Sequence, residues 1–187
     1  MDTISVALLT TKLTELSSIY QVVDIASEVI QNTNFLLWSG SPHSSLHHYG
    51  KHGLLIHTYE VVRLCMDSAA TLGLQKEIDL KWMFLAALYH DIGKLDDYRP
   101  INDEMTEWES TDHKKKIYHI VKSYEVWNRM AEKHRISRKD ADEVSHAILA
   151  HHGRLEWKSP VEPQTKMAWI LHLCDNMSAR VCDNYGR

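Results

Sequence analysis

The stretch IDLKWMFLAALYHDIGKLDDY, Ile78 to Tyr98, decides the reading of the fold. From Leu80 to Tyr89 it is apolar nearly all round, without strict alternation and without Gly or Pro, so it reads as a helix buried on every side. His90 and Asp91 follow directly on this apolar run, and Gly93 supplies the stop. Neighbouring residues on a helix diverge by about 100°, so the His90-Asp91 pair can grip one ion only where helical geometry is being left. Lys94, three residues after Asp91, adds a cation suited to a phosphoryl oxygen.

Outward from this segment the periodicity predicts further helices. Toward the N-terminus, Leu54, His57/Thr58, Val61, Leu64/Cys65 and Ala69 form one stripe over Gly53 to about Leu72, with Gly73 as C-cap. Before it, Leu9, Leu13, Leu16, Ile19, Val23, Ala26 and Ile30 predict one amphipathic helix over 8–30, and NTNFLLWSGSPHSS predicts a loop. Toward the C-terminus, residues Asp96 to Asp112 read as an exposed loop. Helices are expected over His113–His134, over Ser137–His152 with Ser137 as N-cap, and over Gln164–Cys182 with a stripe of Met167, Ile170/Leu171, Cys174 and Met177/Val181. GRLEWKSPVEP reads as a two-proline connector. The expected fold class is all-α, a single helical bundle of about six or more helices spanning 1–187, with a helix and loop over 1–45 packed on a core over 46–183.

Composition narrows the function. The 187 residues are 44% hydrophobic and 25% charged, with 7 Gly and 4 Pro, which suits a soluble helical chain. The net charge of −4 provides no general basic field for duplex nucleic acid. No segment has the roughly 18 apolar residues that a membrane span needs, and the N-terminus lacks a signal-like pattern. Cys65, Cys174 and Cys182 are widely spaced with no CxxC pair, so they read as reduced thiols in a cytoplasmic protein. The unusual total is 13 His.

Several of these histidines fall on apolar faces, where an imidazole or carboxylate is costly unless a partner satisfies it. His57 lies between Leu54 and Val61, Asp175 lies four after Leu171, His90-Asp91 close the buried helix, and His151 and His152 end a helix whose inner stripe is Ala141, Val144 and Ile148. Imidazole and carboxylate are the ligand set of Zn, Mn, Fe and Mg/Mn sites, and more than four ligands imply two ions. On the helix that carries His119, the stripe of Ile117, Ile120 and Tyr124 reads as interior more clearly than that of His119, Ser123, Val126 and Met130.

The ordered pattern His57, His90-Asp91, Asp175 resembles the H…HD…D signature of HD-domain metal-dependent phosphohydrolases, and more closely the HD domain of YhaM-type 3′–5′ exoribonucleases. The likeness is carried by LHHYGKHGLLIHTYEVV, LAALYHDIGKLDDY, YHIVKSYEVW and AILAHHGRLEWKSPVEPQTKMAWILHLCDNMSAR, over roughly residues 46–180. It implies an all-helical fold in which His57, His90, Asp91 and Asp175 hold the primary metal. His119 and His151 match extra ligands of two-metal members, Asp91 bridges, and His152 is a ligand or supports one. Asp91 and Lys94 are the catalytic residues implied, Lys94 holding the phosphate, with attack on phosphorus by a metal-activated hydroxide. One or two divalent ions are expected, among Mn, Fe, Zn, Ni, Co and Mg.

The implied substrate is a nucleotide or short oligonucleotide. The alternatives are an exoribonuclease acting without an OB domain, since the 45 residues before the first block read as helix and loop, and a non-catalytic nucleotide-binding module. Lys122, Arg154 and His52 are candidate substrate contacts. His52 stands where the family pattern has glycine, and Ile56 where it has glutamate. His43, His47 and His48 are assigned to the pocket rim rather than to a further metal site or lid. His113, His134, His146 and His172 are assigned to the surface or to helix contacts, Lys114–Lys116 to a solvated face, and Trp157 to pinning the connector rather than stacking on a base.

Overall fold

The structure, a computed structural model, describes residues 6–181; Cys182 lies outside them. The helices are α1 Val6–Ile19, α2 Val23–Ile30, α3 Thr33–Leu37, α4 Gly53–Thr71, α5 Leu80–Tyr89, α6 Lys94–Asp97, α7 Asp112–Lys116, α8 His119–Lys133, α9 Arg138–Ala150 and α10 Lys166–Val181. Strands β1, Tyr98–Pro100, and β2, Trp108–Ser110, form a short antiparallel pair between α6 and α7.

The apolar run of Leu80–Tyr89 becomes the central helix. Asp79 caps α5 by accepting from Lys81 N at 2.9 Å, and every residue from Trp82 to Tyr89 is buried. Helices α4, α9 and α10 pack around α5, α8 packs on α9, and α1 and α2 add Leu9, Leu13, Ala26 and Val29 to the same core. Trp127 of α8 is wholly buried, its indole N–H donating to Ala141 O at 3.0 Å.

Four expectations change. The single helix over 8–30 is two, because Gln21 adopts a left-handed φ of 56° and Val22 N bonds back to Ser17 O at 2.9 Å. This stop is made by a residue other than Gly or Asn, so it leaves no composition signal. The loop expected over 32–45 contains α3, whose Asn32 side chain accepts from Phe35 N. The expected loop over 96–112 holds the β1–β2 pair, anchored because Tyr98 and Trp108 are buried and Trp38 Nε1 donates to Tyr98 O at 3.0 Å. The helix expected over His113–His134 divides at Tyr118, where φ is 75°. Gly73 ends α4 with φ 66°, as its spacing predicts.

Candidate metal centre

Helices α4, α5, α8, α9 and α10 each deliver side chains to one interior point. His57 projects from the inner stripe of α4 and is fully buried, as are His90 and His151 at the ends of α5 and α9. His57 Nε2 lies 3.2 Å from Asp91 Oδ2, 3.1 Å from Asp175 Oδ1 and 3.3 Å from His90 Nε2. His90 Nε2 is 3.3 Å from Asp91 Oδ2 and 3.7 Å from Asp175 Oδ1. Asp91 Oδ1, the other oxygen, faces His119 Nε2 at 3.4 Å and His151 Nε2 at 3.6 Å. Asp91 therefore stands between two clusters, His57-His90-Asp91-Asp175 and His119-His151-His152, in each of which the donor atoms lie within 4.8 Å of one another.

The outward nitrogens explain why the inward ones converge. His90 Nδ1 donates to Ala87 O at 2.8 Å, His151 Nδ1 to Ile148 O at 2.6 Å, and His152 Nδ1 to Trp157 O at 2.7 Å. His57 Nδ1 meets Ser178 Oγ at 2.9 Å, and His119 Nδ1 meets Asp97 Oδ2 at 3.1 Å. With Nδ1 engaged on the outward side, each ring turns Nε2 inward as the nitrogen a metal would take.

Gly93 matters for space rather than as a helix stop. Its φ is −66°, ordinary helical backbone, while a Cβ there would lie 2.2 Å from His119 O. The first turn of α8 thus rests directly on Gly93, whose N–H donates to Ser123 Oγ at 2.9 Å, and this contact sets His119 beside Asp91. The inner face of α8 is His119, Ile120, Ser123, Trp127 and Ala131. Ile117 and Tyr124, expected inside, are 48% and 37% exposed, because the break at Tyr118 resets the helical phase. On α10, Ser178 is buried while Met177 and Val181 are exposed, so its stripe runs Met167, Leu171, Cys174, Ser178.

Burial and opposite charge act against each other here. Burial disfavours the Asp91 carboxylate, but Lys94 and His90 beside it hold its pKa well below the usual range; Lys94 Nζ is 2.6 Å from Asp91 Oδ2. Burial likewise opposes Asp175, and the neighbouring His57 and His90 imidazoles hold its pKa well below the usual range. Burial alone would lower His90, yet Asp91 and Asp175 push it up to about 10. Burial lowers His119, and lowers His152 to about 3, which favours neutral, ligating imidazoles.

Among the described residues, three buried atoms have no hydrogen-bond partner at this point: Asp91 Oδ1, His119 Nε2 and His151 Nε2. Buried polar atoms are normally satisfied, and these three are an acceptor and two imidazole nitrogens turned toward one another. A shared divalent ion satisfies all of them, whereas a hydrogen bond satisfies at most two. The residues present therefore fit a metal.

The remaining predicted residues fall differently. His47 and His48 reach the centre, their rings 5.6 and 5.0 Å from that of His57. His52 does not join them: its Nδ1 meets Leu36 O at 2.5 Å, on the end of α3, and its own φ is 71°. The glycine of the family pattern is explained by that left-handed backbone, and one ring nitrogen of His52 is engaged by α3. Lys122 Nζ lies 3.5 Å from Asp96 and 3.1 Å from Glu125, so its charge is answered on the outer side of α8. Arg154 stacks its guanidinium 5.0 Å from the Trp157 ring, both exposed. His172, expected at the surface or a helix contact, is buried, and its Nδ1 meets His151 O at 2.8 Å. His43 is held at the exposed loop by Ser45 Oγ.

Asp97 was not legible beforehand. It is fully buried and faces His119 N, His119 Nδ1 and His113 Nδ1 at 3.1, 3.1 and 2.8 Å. Its neighbour Asp96 is half exposed, and nothing local separates the two. Ser178 did carry a signal, since it continues the Leu171–Cys174 stripe with a polar group.

Comparison with known proteins agrees with this geometry. The profile of the HD domain family matches residues 54–180. The chain is 29% identical to the 3′–5′ exoribonuclease YhaM of Bacillus subtilis over 136 residues, 72% of this chain and 41% of that protein. It is 29% identical to YhaM of Oceanobacillus iheyensis over 135 residues, 72% of this chain and 40% of that protein. The chain thus spans about two fifths of the length of the curated relatives it matches. No solved structure matches. No helix among the described residues is long and apolar enough to cross a membrane.

Proposed function

The chain belongs to the HD domain family, and from that premise we propose that it is a divalent-metal-dependent phosphohydrolase acting on a nucleotide or short oligonucleotide, with His57, His90, Asp91, Asp175, His119, His151 and His152 as the ligands of one or two ions. The observation that carries the reading is the convergence of three unpartnered buried atoms, Asp91 Oδ1, His119 Nε2 and His151 Nε2, beside the His57-His90-Asp91-Asp175 cluster. An ion held there supplies Lewis acidity toward a phosphoryl oxygen and lowers the pKa of a water toward 7.

The chain's own residues account for the rest. Asp91 turns one oxygen to each cluster and so ties their positions together. Lys94 is 7% exposed and charge-paired with Asp91, a fixed cation for the phosphoryl charge that grows as the bond breaks. The burial of all four α4–α5–α9 contributors, His57, His90, Asp91 and His151, keeps bulk water from competing for the same donors. The relatives are named 3′–5′ exoribonucleases, which supports a phosphodiester at a nucleic-acid end or in a small nucleotide as substrate class. Cytoplasmic location is part of the same proposal.

The test is metal analysis of the purified chain together with turnover of bis-p-nitrophenyl phosphate and a panel of mononucleotides, cyclic nucleotides, dinucleotides and short RNA with added manganese. Bound metal and turnover, both lost in His57→Ala and Asp91→Ala, are expected. Absence of both in the unaltered chain overturns the proposal.

A further inference from the structure

Behind His57, on the side away from Asp91, a second polar chain runs into the loop before α4. Ser178 Oγ donates to Glu60 Oε2 at 2.8 Å, and the same oxygen is 2.9 Å from His48 Nε2. His48 Nδ1 is in turn 3.0 Å from His47 Nδ1. Glu60 stands three residues after His57 on α4, its side chain 11% exposed, and its other oxygen, Oε1, is buried with no partner among the described residues. All of the hydrogen bonding of this carboxylate is thus directed through Oε2.

We infer that Glu60 is a positioning residue of the metal centre: its single engaged oxygen orients His57 through Ser178 and anchors, through His48, the imidazole of His47 against His57. The proton count follows from the donors. A carboxylate only accepts, so the Ser178 hydroxyl hydrogen points at Glu60. Ser178 Oγ can then only accept from its other neighbour, which requires a proton at His57 Nδ1 and makes Nε2, turned toward Asp91 and Asp175, the nitrogen open to a metal. The same argument makes His48 Nε2 a donor to Glu60. The loop over 38–52 is held to α4 at this point, since His48 O accepts from Gly40 N at 2.9 Å and lies where a Cβ on Gly53 would be, 1.8 Å away. Without Glu60, Ser178 is free to turn its hydrogen to His57 Nδ1, and the ring then carries its proton on the ligand side.

The inference rests on the reading of His57 as a ligand, and the experiment separates the two. Zinc affinity of the full chain is measured for the unaltered protein, Glu60→Leu, Glu60→Gln and Ser178→Ala, with thermal unfolding as a check that each folds. The imidazole ¹⁵N spectrum of histidine-labelled protein is recorded for the same set. Glu60→Leu removes the acceptor with little change of volume and is expected to weaken zinc binding about 10–100-fold, the usual effect of losing an outer partner of a ligating histidine. Ser178→Ala is expected to weaken it to the same degree. Glu60→Gln keeps one acceptor oxygen at the junction and is expected to bind within about threefold of the unaltered chain, the rescue that mere loss of charge would not give. His57 is expected to be protonated at Nδ1 in the unaltered chain and in Glu60→Gln, and not in Glu60→Leu. Unchanged zinc affinity in Glu60→Leu overturns the inference, as does a Glu60→Gln defect equal to that of Glu60→Leu. If the unaltered chain binds no zinc, the metal reading fails, and the ¹⁵N spectra alone then decide: a Nδ1 proton lost only in Glu60→Leu supports the positioning role, and identical spectra overturn it.

Discussion

Replacing Asp97 tests how far the second ligand cluster depends on a residue that touches no metal. Asp97 Oδ2 accepts from both His119 N and His119 Nδ1, and Oδ1 accepts from His113 Nδ1. In Asp97→Asn the amide oxygen must take the place of Oδ2, because an NH₂ there would face two donors. The His119 contacts then survive, while the NH₂ takes the place of Oδ1 and His113 Nδ1 must shed its proton to accept from it; beyond that change of tautomer only the charge is lost. A charge-assisted hydrogen bond is worth about 1.5–3 kcal/mol and a neutral one about 0.5–1.5, so roughly 1–1.5 kcal/mol disappears, about tenfold in affinity. Asp97→Ala leaves two buried donors of His119 unsatisfied at about 1–3 kcal/mol each. It frees the ring to turn, and the expected loss of affinity is about 10–100-fold or beyond. Isothermal titration with manganese or zinc reads both variants. The loss is expected in the ion held by His119, with the His57-His90-Asp91-Asp175 ion retained. The reasoning is refuted if Asp97→Ala binds every ion within twofold of the unaltered chain, or if Asn is the worse substitution.

Other perturbations have defined outcomes. Gly93→Ala places a Cβ 2.2 Å from His119 O and 2.8 Å from Lys122 Cβ, so α8 must shift; overpacking of this kind costs about 1–3 kcal/mol, and calorimetry should show a Tm lowered by several degrees together with weaker metal binding. Lys94→Met is expected to keep metal but lower turnover about 10²–10³-fold, the effect of removing one preorganised group that stabilises developing charge; unchanged kcat in steady-state assays contradicts its role. In metal-free protein, burial lowers His47 and His152 to about 3 each. Below the ordinary histidine pKa of about 6.5 the unfolded chain therefore binds more protons than the folded one at these two sites, so their contribution falls as the pH drops toward 3, while His90, raised to about 10, loses its contribution only as the pH rises above about 6.5. Asp91, Asp97 and Asp175, held below the usual carboxylate range, extend the loss below about pH 4 in the same direction. Urea unfolding at pH 7, 5.5 and 4 with a chelator present should show a monotonic decline, and a flat profile refutes the assignment.

Read alone, the sequence determined the helical class, the buried central helix and the polar residues that sit on apolar stripes. Burial of a polar group is visible wherever periodicity is strong: His57 interrupts Leu54–Val61, and Asp175 follows the phase of Leu171. Where a helix stops without Gly or Pro, the signal vanishes. Gln21 and Tyr118 adopt positive φ with side chains that predict nothing of the kind, so two breaks were unreadable and the inner face of α8 was assigned one step out of phase.

Tertiary structure alone decided the outer partners. Asp97, Glu60 and Ser178 act on histidines 22, 12 and 121 residues away in the chain, and such contacts depend on how α4, α6, α8 and α10 pack. It also separated the four histidines of HHYGKHGLLIH. His57 enters the centre from the inner stripe, His47 and His48 are folded back onto it by the loop, and His52 is turned to Leu36 by a backbone that only the folded loop requires. Helical phase is a local property that composition records, whereas the direction of a side chain at a turn depends on φ and on what packs against it, and neither is written in the neighbouring residues.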